Sequence, residues 1–191
     1  RPRAAGADSV ALDDVSAARM ATEHLLALGH HRIGLVPGPP AEDCTQDRLL
    51  GYELALRAAG LAVDPSLVFQ GTWLAPSGYA AFGHLMSLTE RPTAVFAQND
   101  QMAVGVLRAA RDAGLLLPDG LSVIGVDDIP LAAYFAPPLT TVRQDFAAIG
   151  RRAARLLIRA LEDPDARREH LLLPGELIVR RSTAALPHDR S

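Results

Sequence analysis

The 191-residue chain is 49% hydrophobic and 21% charged, enough apolar material for a substantial core and too much for disorder. A net charge of -3, with the basic residues spread along the chain, gives no footprint for gripping nucleic acid, and no apolar stretch reaches the length of a membrane span. The single cysteine, Cys44, excludes an internal disulfide framework and a cysteine-based zinc site; with no signal-peptide block in Arg1 to Ser9, it points to a reducing, cytoplasmic compartment.

Along the chain, helical patterns alternate with short aliphatic runs, as expected for parallel strands joined by crossover helices. The first helix is predicted over Ser16 to Leu28, where Ala18, Ala21, Leu25 and Leu28 recur at helical spacing and Gly29 supplies the stop. Strand Ile33 to Val36 follows, closed by Gly38, Pro39 and Pro40. A helix from Gln46 to Ala59 then buries Leu49, Tyr52 and Leu56 and ends at Gly60. The alternation continues with strand Leu67 to Gln70 and helix Ser77 to Leu88, then strand Ala94 to Ala97 and helix Gln101 to Ala113. Strand Ser122 to Val126 comes next, with a short segment after Pro130. None of these apolar runs alternates with polar residues, which fits strands covered on both faces. The segment PPLTTVRQDF predicts an extended crossing strand. After it, Phe146, Ile149, Ala153, Leu156 and Ala160 form the expected buried stripe of an amphipathic helix. Leu171 to Leu173 and Leu177 to Val179 read as two short strands separated by Pro174 and Gly175, ahead of a polar end.

An open parallel α/β sheet binds its ligands beyond the carboxyl ends of the strands. Four side chains follow those ends: Arg48 after the first central strand, Trp73 after the second, Asn99 after the third and Asp127 after the fourth. A guanidinium fork, an indole face, an amide and a carboxylate on one rim suit a neutral polyol, whose hydroxyls take charge-assisted bonds and whose C–H face takes the indole. Helix capping accounts for Asn99 and for Asp127 or Asp128 equally well. Trp73 also fits a core or interface position, and Arg48 a surface cation, although a cation at a helix start opposes the macrodipole. Catalytic patterns are weaker. Asp127 and Asp128 are adjacent, so their side chains diverge in an extended chain, unlike a glycosidase pair. The six histidines lack ligand spacing, and the run His30-His31-Arg32 is expected to lie exposed between helix and strand. Cys44 is expected in a loop as inert packing, and no GxSxG, P-loop or GxGxxG is present.

The segments ATEHLLALGHHRIGLVPGP, RLLGYELALRAAG, PTAVFAQNDQMAVGVLRAARDAG, SVIGVDDIPLAAYFAPPLTTVRQDFAAIG and LIVRRST occur in this order and closely resemble the effector-binding core of the LacI/GalR repressors. The resemblance implies a periplasmic-binding-protein-like type I fold, an α/β parallel sheet flanked by helices, with one subdomain complete and the other partial. Residues 13–140 would be the C-terminal effector-binding subdomain, residues 1–12 and 145–174 remnants of the N-terminal subdomain, and residues 175–191 a returning strand and tail. It implies a non-enzymatic sensor without cofactor or metal. A small-molecule effector, of sugar type, would control operator DNA binding through a headpiece that lies outside this chain, and the protein would be a homodimer. Half of the cleft would also lie outside, so this chain alone is expected to hold its effector weakly or not at all.

By the same resemblance Arg48 matches the family's effector-contacting arginine, Trp73 its aromatic wall, Asn99 its amide and Asp127 its key carboxylate. Gln101, Phe146 and Ile149 match positions that line the cleft, and Cys44 falls where a small residue reaches the ligand. Trp73 with NDQMAVG is similar to the galactoside-responsive branch, and Glu42 stands where purine-responsive members carry an arginine. A periplasmic sugar-binding protein of a transport system shares the fold and is the alternative reading, with a sugar-processing enzyme third.

Overall fold

A computed structural model describes residues 7–163 and 166–186. Its larger sheet has five strands in the order β2 (Ile33–Val36), β3 (Ala94–Ala97), β4 (Ser122–Asp127), β5 (Thr140–Arg143) and β7 (Glu176–Ile178). The first four are parallel and β7 runs antiparallel to β5. β1 (Ser9–Leu12) and β6 (His170–Leu173) form a second, two-stranded parallel sheet in which Ser9 is opposite His170. The chain crosses between the sheets three times: from β1 to α1 (Asp14–Ala27), from β5 to α5 (Phe146–Glu162), and from β6 to β7. Residues 1–6 of the expected 1–12 remnant and residues 187–191 of the expected tail lie outside the described residues.

Every residue of β2 and β3 is buried, as are five of the six in β4, because helices cover both faces of the sheet. On one face Ala18, Ala21 and Leu25 of α1 pack with Tyr52 and Leu56 of α2 (Asp43–Ala58) over Ile33, Leu35, Phe96 and Ile124. On the other, Phe82 and Leu85 of α3 (Ala75–Ser87) pack with Met102 and Val106 of α4 (Asp100–Asp112) over Val95 and Val123. α1 and α2 touch so closely that a Cβ on Gly51 would come within 2.2 Å of the Val15 carbonyl oxygen.

Three expectations are corrected. Leu67 to Gln70 is not a strand. Pro65, with Asp64 accepting from the Ser66 amide, starts a 3-10 turn over Pro65–Leu67, and only an isolated bridge from Val68 to Leu35 joins the sheet. The predicted stripe of α5 is only partly covered. Leu156 is buried and Ile149 and Ala160 are half-buried, but Ala153 is exposed and Phe146 is 60% exposed, because the two-stranded sheet offers α5 little surface. His30 is buried instead of exposed: Nδ1 meets Thr93 Oγ1 and Nε2 meets the Ala184 carbonyl, both at 2.9 Å. His31, next to it, is exposed as expected.

His30 fastens the C-terminal segment to the main sheet, helped by His24 against Thr183 at 2.9 Å and by the Leu186 amide on the Leu28 carbonyl. Burial holds both imidazoles below their ordinary value of 6.5. The unfolded chain therefore takes up protons first as the pH falls, so this docking stabilises the fold above pH 6.5 and loses its contribution below. His30→Ala should cost about 1–3 kcal/mol near pH 8 by urea unfolding. The gap to the wild type should narrow towards pH 5, and a gap that widens on acidification would contradict this assignment.

Candidate functional site

The carboxyl ends of β2, β3 and β4 open on the same side, and each chain segment leaving them carries polar groups to that rim. Arg48 sits on α2, whose first turn follows β2 through the Gly38 loop, and is only 5% exposed. Its Nε donates to Asp14 Oδ1 at 2.8 Å and its Nη1 donates to the Gln98 carbonyl at the end of β3. Asp14 is itself 4% exposed, so this is a buried ion pair joining α1 to α2. The guanidinium lies 5.8 Å from the centre of the Trp73 ring, a cation–π distance.

Trp73 is half-buried and has a φ of +69°. Its indole N–H donates to Glu42 Oε1 at 3.1 Å, and its ring lies against Gly38, where a Cβ would come within 2.1 Å of it. Glycine is therefore required at residue 38 for the indole to lie flat on the loop. The Trp73 carbonyl accepts from Asn99 Nδ2 at 3.0 Å, and Asn99 Oδ1 accepts from the Met102 amide at 2.8 Å, capping α4. Capping and site-building are thus two bonds of one side chain.

Asp127 ends β4 with a φ of +124°, and Asp128 follows at +54°. With Trp73 they are the non-glycine residues of positive φ among the described residues; each such conformation costs about 1–3 kcal/mol and collects at functional sites. Asp127 Oδ1 accepts from Gln144 Nε2 at 2.6 Å. Burial pushes its carboxyl above the usual carboxylate range, opposed by Arg48 and the Gln144 bond and reinforced by Asp14. Asp128 instead accepts from Arg143 Nε and Arg180 Nη2, each at 2.7 Å. Neither aspartate caps the 3-10 turn Pro130–Tyr134, whose N-cap is Ile129 without a side-chain bond.

Arg48, Trp73, Asn99 and Asp127 are therefore brought together on one rim. Cys44 stands beside them, in the first turn of α2 and not in a loop, with Sγ 3.9 Å from Glu42 Oε2; burial pushes its thiol up. Gln101 is exposed on the first turn of α4. Phe146 and Ile149 lie at the start of α5 and make no hydrogen bond or ring contact with the four among the described residues. Asp14, Glu42, Gln98 and Gln144 build the site as partners, and of these only Gln98, a polar residue closing the apolar run AVFA, carries a local signal. Asp100 lies behind the rim, accepting from Thr141 Oγ1 at 2.6 Å and the Ile129 amide at 2.9 Å; burial pushes it up to about 7. Among the described residues no cluster of His, Cys, Asp and Glu side chains is arranged to hold a metal ion.

Residues 22–183 match the periplasmic binding protein-like domain. The chain is 40% identical over 179 residues to the HTH-type transcriptional repressor CytR of Escherichia coli strain K12, covering 94% of this chain and 52% of the relative. It is 38% identical to the HTH-type transcriptional regulator DegA of Bacillus subtilis strain 168, covering 94% and 53%. Among solved structures, the complex of transcriptional regulator CelR with cellobiose superposes with a TM-score of 0.88 at 36% identity, covering 93% of this chain and 54% of that one. A LacI family transcriptional regulator from Enterococcus faecium with bound ribose gives a TM-score of 0.88 at 32% identity, covering 94% and 67%. The chain spans about half the length of the curated relatives it matches.

The double duty of Asn99 is separable. Asn99→Ala should cost about 1–2 kcal/mol in chemical denaturation through loss of the cap. Asn99→Asp should keep most of that stability while still releasing the Trp73 carbonyl, so both variants shift the emission of this sole tryptophan. Equal stability losses in the two would contradict the division of roles.

Proposed function

Because this chain belongs to the LacI family of transcription regulators, within the periplasmic binding protein-like domain, we propose that it is the effector-sensing part of such a regulator and takes a sugar or sugar-like molecule on the rim formed by Arg48, Trp73, Asn99 and Asp127. The observation that carries this reading is the convergence of an arginine, an indole, an amide and a carboxylate beside the carboxyl ends of the parallel strands, with Trp73 and Asp127 on backbone of positive φ. The cellobiose and ribose bound in the two similar structures support the ligand class. Cys44, Gln101, Phe146 and Ile149 complete the proposed lining, with Gln144 holding Asp127.

The relatives reported above are transcription regulators, and the transport reading finds no support among them. Their HTH designation supports a DNA-binding headpiece elsewhere in the full protein. The sensor does no chemistry: Asp127 and Asp128 are bound to different partners and do not converge on a common point. We place the boundary of the effector-binding unit at residues 13–140, with residues 1–12 and 145–174 in the neighbouring unit and residues 175–191 returning. No helix among the described residues is long and apolar enough to cross a membrane, and a cytoplasmic site of action is part of this proposal. Effector binding acts by favouring one arrangement of the units, with a coupling of about 1–3 kcal/mol.

A homodimer fits the apolar face of α3, α4 and the 3-10 turn. Leu74, Tyr79, Leu131 and Tyr134 are exposed there, and grooves around Val104 and Phe135 run together between them. An apolar face of this extent marks an interaction surface.

Two measurements check these statements. In the full-length regulator, Asp127→Ala should abolish effector-dependent release from operator DNA while operator affinity stays unchanged; retained induction would remove Asp127 from the site. In sedimentation equilibrium, Tyr134→Asp should weaken the dimer by about 2 kcal/mol or more, roughly thirtyfold. An unchanged dimer would place the contact elsewhere.

A further inference from the structure

Arg48 is a cation of the proposed sugar site itself, and its surroundings bear on what charge that site accepts. Its Nε is held by Asp14 and its Nη1 by the Gln98 carbonyl, which leaves Nη2 as the guanidinium nitrogen with no protein hydrogen bond among the described residues. Asp14, at 2.8 Å and buried with it, already neutralises the arginine. Two further carboxylates stand on the same rim: Glu42, on the indole N–H of Trp73, and Asp127, on the amide of Gln144. The nearby arginines Arg143 and Arg180 offer no surplus, since both bind Asp128, and Arg143 also binds Glu176 at 3.0 Å. Among the described residues, one cation therefore faces three carboxylates here. The Cys44 thiol, pushed up by burial and further by Asp14 and Glu42 against the opposing effect of Arg48, stands in the same field.

We propose that Asp14 is a specificity-determining residue that restricts the rim to uncharged hydroxylated ligands and excludes their phosphorylated or carboxylated counterparts. This rests on the effector-site reading given above and adds to it the charge class of the guest. An arginine with a free guanidinium in a low-dielectric pocket is a phosphate receptor; the same arginine paired to a buried aspartate keeps N–H donors on its Nη atoms, but the pair carries no net charge. A phosphoryl group brought to this rim meets Asp127 and Glu42 without a free cation among the described residues to offset them, and like charges at close quarters repel. Asp14 does this without touching the ligand, by holding Nε from the far side of the guanidinium. It lies in the first turn of α1, directly after the crossing from β1.

The test uses the emission of Trp73, the single tryptophan, whose ring lies beside the Arg48 guanidinium. This chain and its Asp14→Asn variant, which keeps an oxygen acceptor for Nε, are titrated at low ionic strength with ribose and ribose 5-phosphate, glucose and glucose 6-phosphate, and inorganic phosphate. The wild type should bind the neutral member of a pair about tenfold or more tightly than the phosphorylated one and show no response to inorganic phosphate. Asp14→Asn should respond saturably to inorganic phosphate, a response that added salt weakens and that Arg48→Met in the same background removes. Asp14→Ser, carried in parallel, gives the same comparison if the first variant fails to fold. Phosphorylated sugars bound by the wild type as tightly as neutral ones, or folded Asp14 variants that gain no phosphate response, would overturn the inference. Silence of every neutral sugar, if the full-length regulator shares it, would instead count against the sugar reading, and the phosphate comparison would still report on Asp14.

Discussion

The ion pair between Arg48 and Asp14 sets the geometry on which the rim depends. Two charges buried together contribute little net stability, because desolvation offsets their attraction, yet removing one of two such partners costs about 3–5 kcal/mol. The pair is thus better understood as a device that fixes position. It joins the first turn of α1 to α2 where Gly51 lets the helices approach, and it turns the guanidinium so that one edge holds the Gln98 carbonyl and the plane neighbours the Trp73 ring. Gln98 then carries the order into the next loop, its Oε1 accepting from the Gly38 amide at 3.1 Å. Trp73 lies on Gly38, and Asn99 ties the Trp73 carbonyl to the start of α4. Each site residue is placed by the one before it.

This arrangement puts the rim in contact with the crossings between the two sheets. Asp14 follows the crossing from β1, where the Asp13 amide donates to the Leu173 carbonyl at 2.8 Å. Gln144, on Asp127, stands two residues before α5 and so lies on the second crossing. Arg143, between Asp128 and Glu176, ties the same region to β7 beyond the third. A guest that loads Arg48 or Asp127 therefore acts on groups that also hold the crossings, which is the physical requirement for coupling a small ligand to the relative placement of two units.

Much of this was legible in the residues themselves. The runs IGLV, AVFA and SVIGV become buried strands because parallel strands covered on both faces need no polar alternation, and the rule that ligands meet such sheets at their carboxyl ends selects Arg48, Asn99 and Asp127; Trp73 is reached through Leu67 to Gln70, which forms a 3-10 turn and an isolated bridge instead of a strand. What escaped depends on tertiary partners. His30 is a polar residue that only the returning C-terminal segment buries, 154 positions away. The apolar residues of α5 have helical periodicity, but periodicity cannot say how much surface a two-stranded sheet offers. Asp14 is 34 positions from Arg48, and nothing local distinguishes it from Asp13, which merely caps the helix.

The central claim is that these side chains form one binding surface for a sugar, and nuclear magnetic resonance of the isotopically labelled chain tests it most directly. The indole N–H of Trp73 and the side-chain amides of Asn99 and Gln144 each give an assignable signal. Millimolar ribose or cellobiose should move all three along a common saturation curve while signals around His30 and Thr93 stay fixed. Sugar-dependent shifts that bypass these three and cluster on another face would contradict the account.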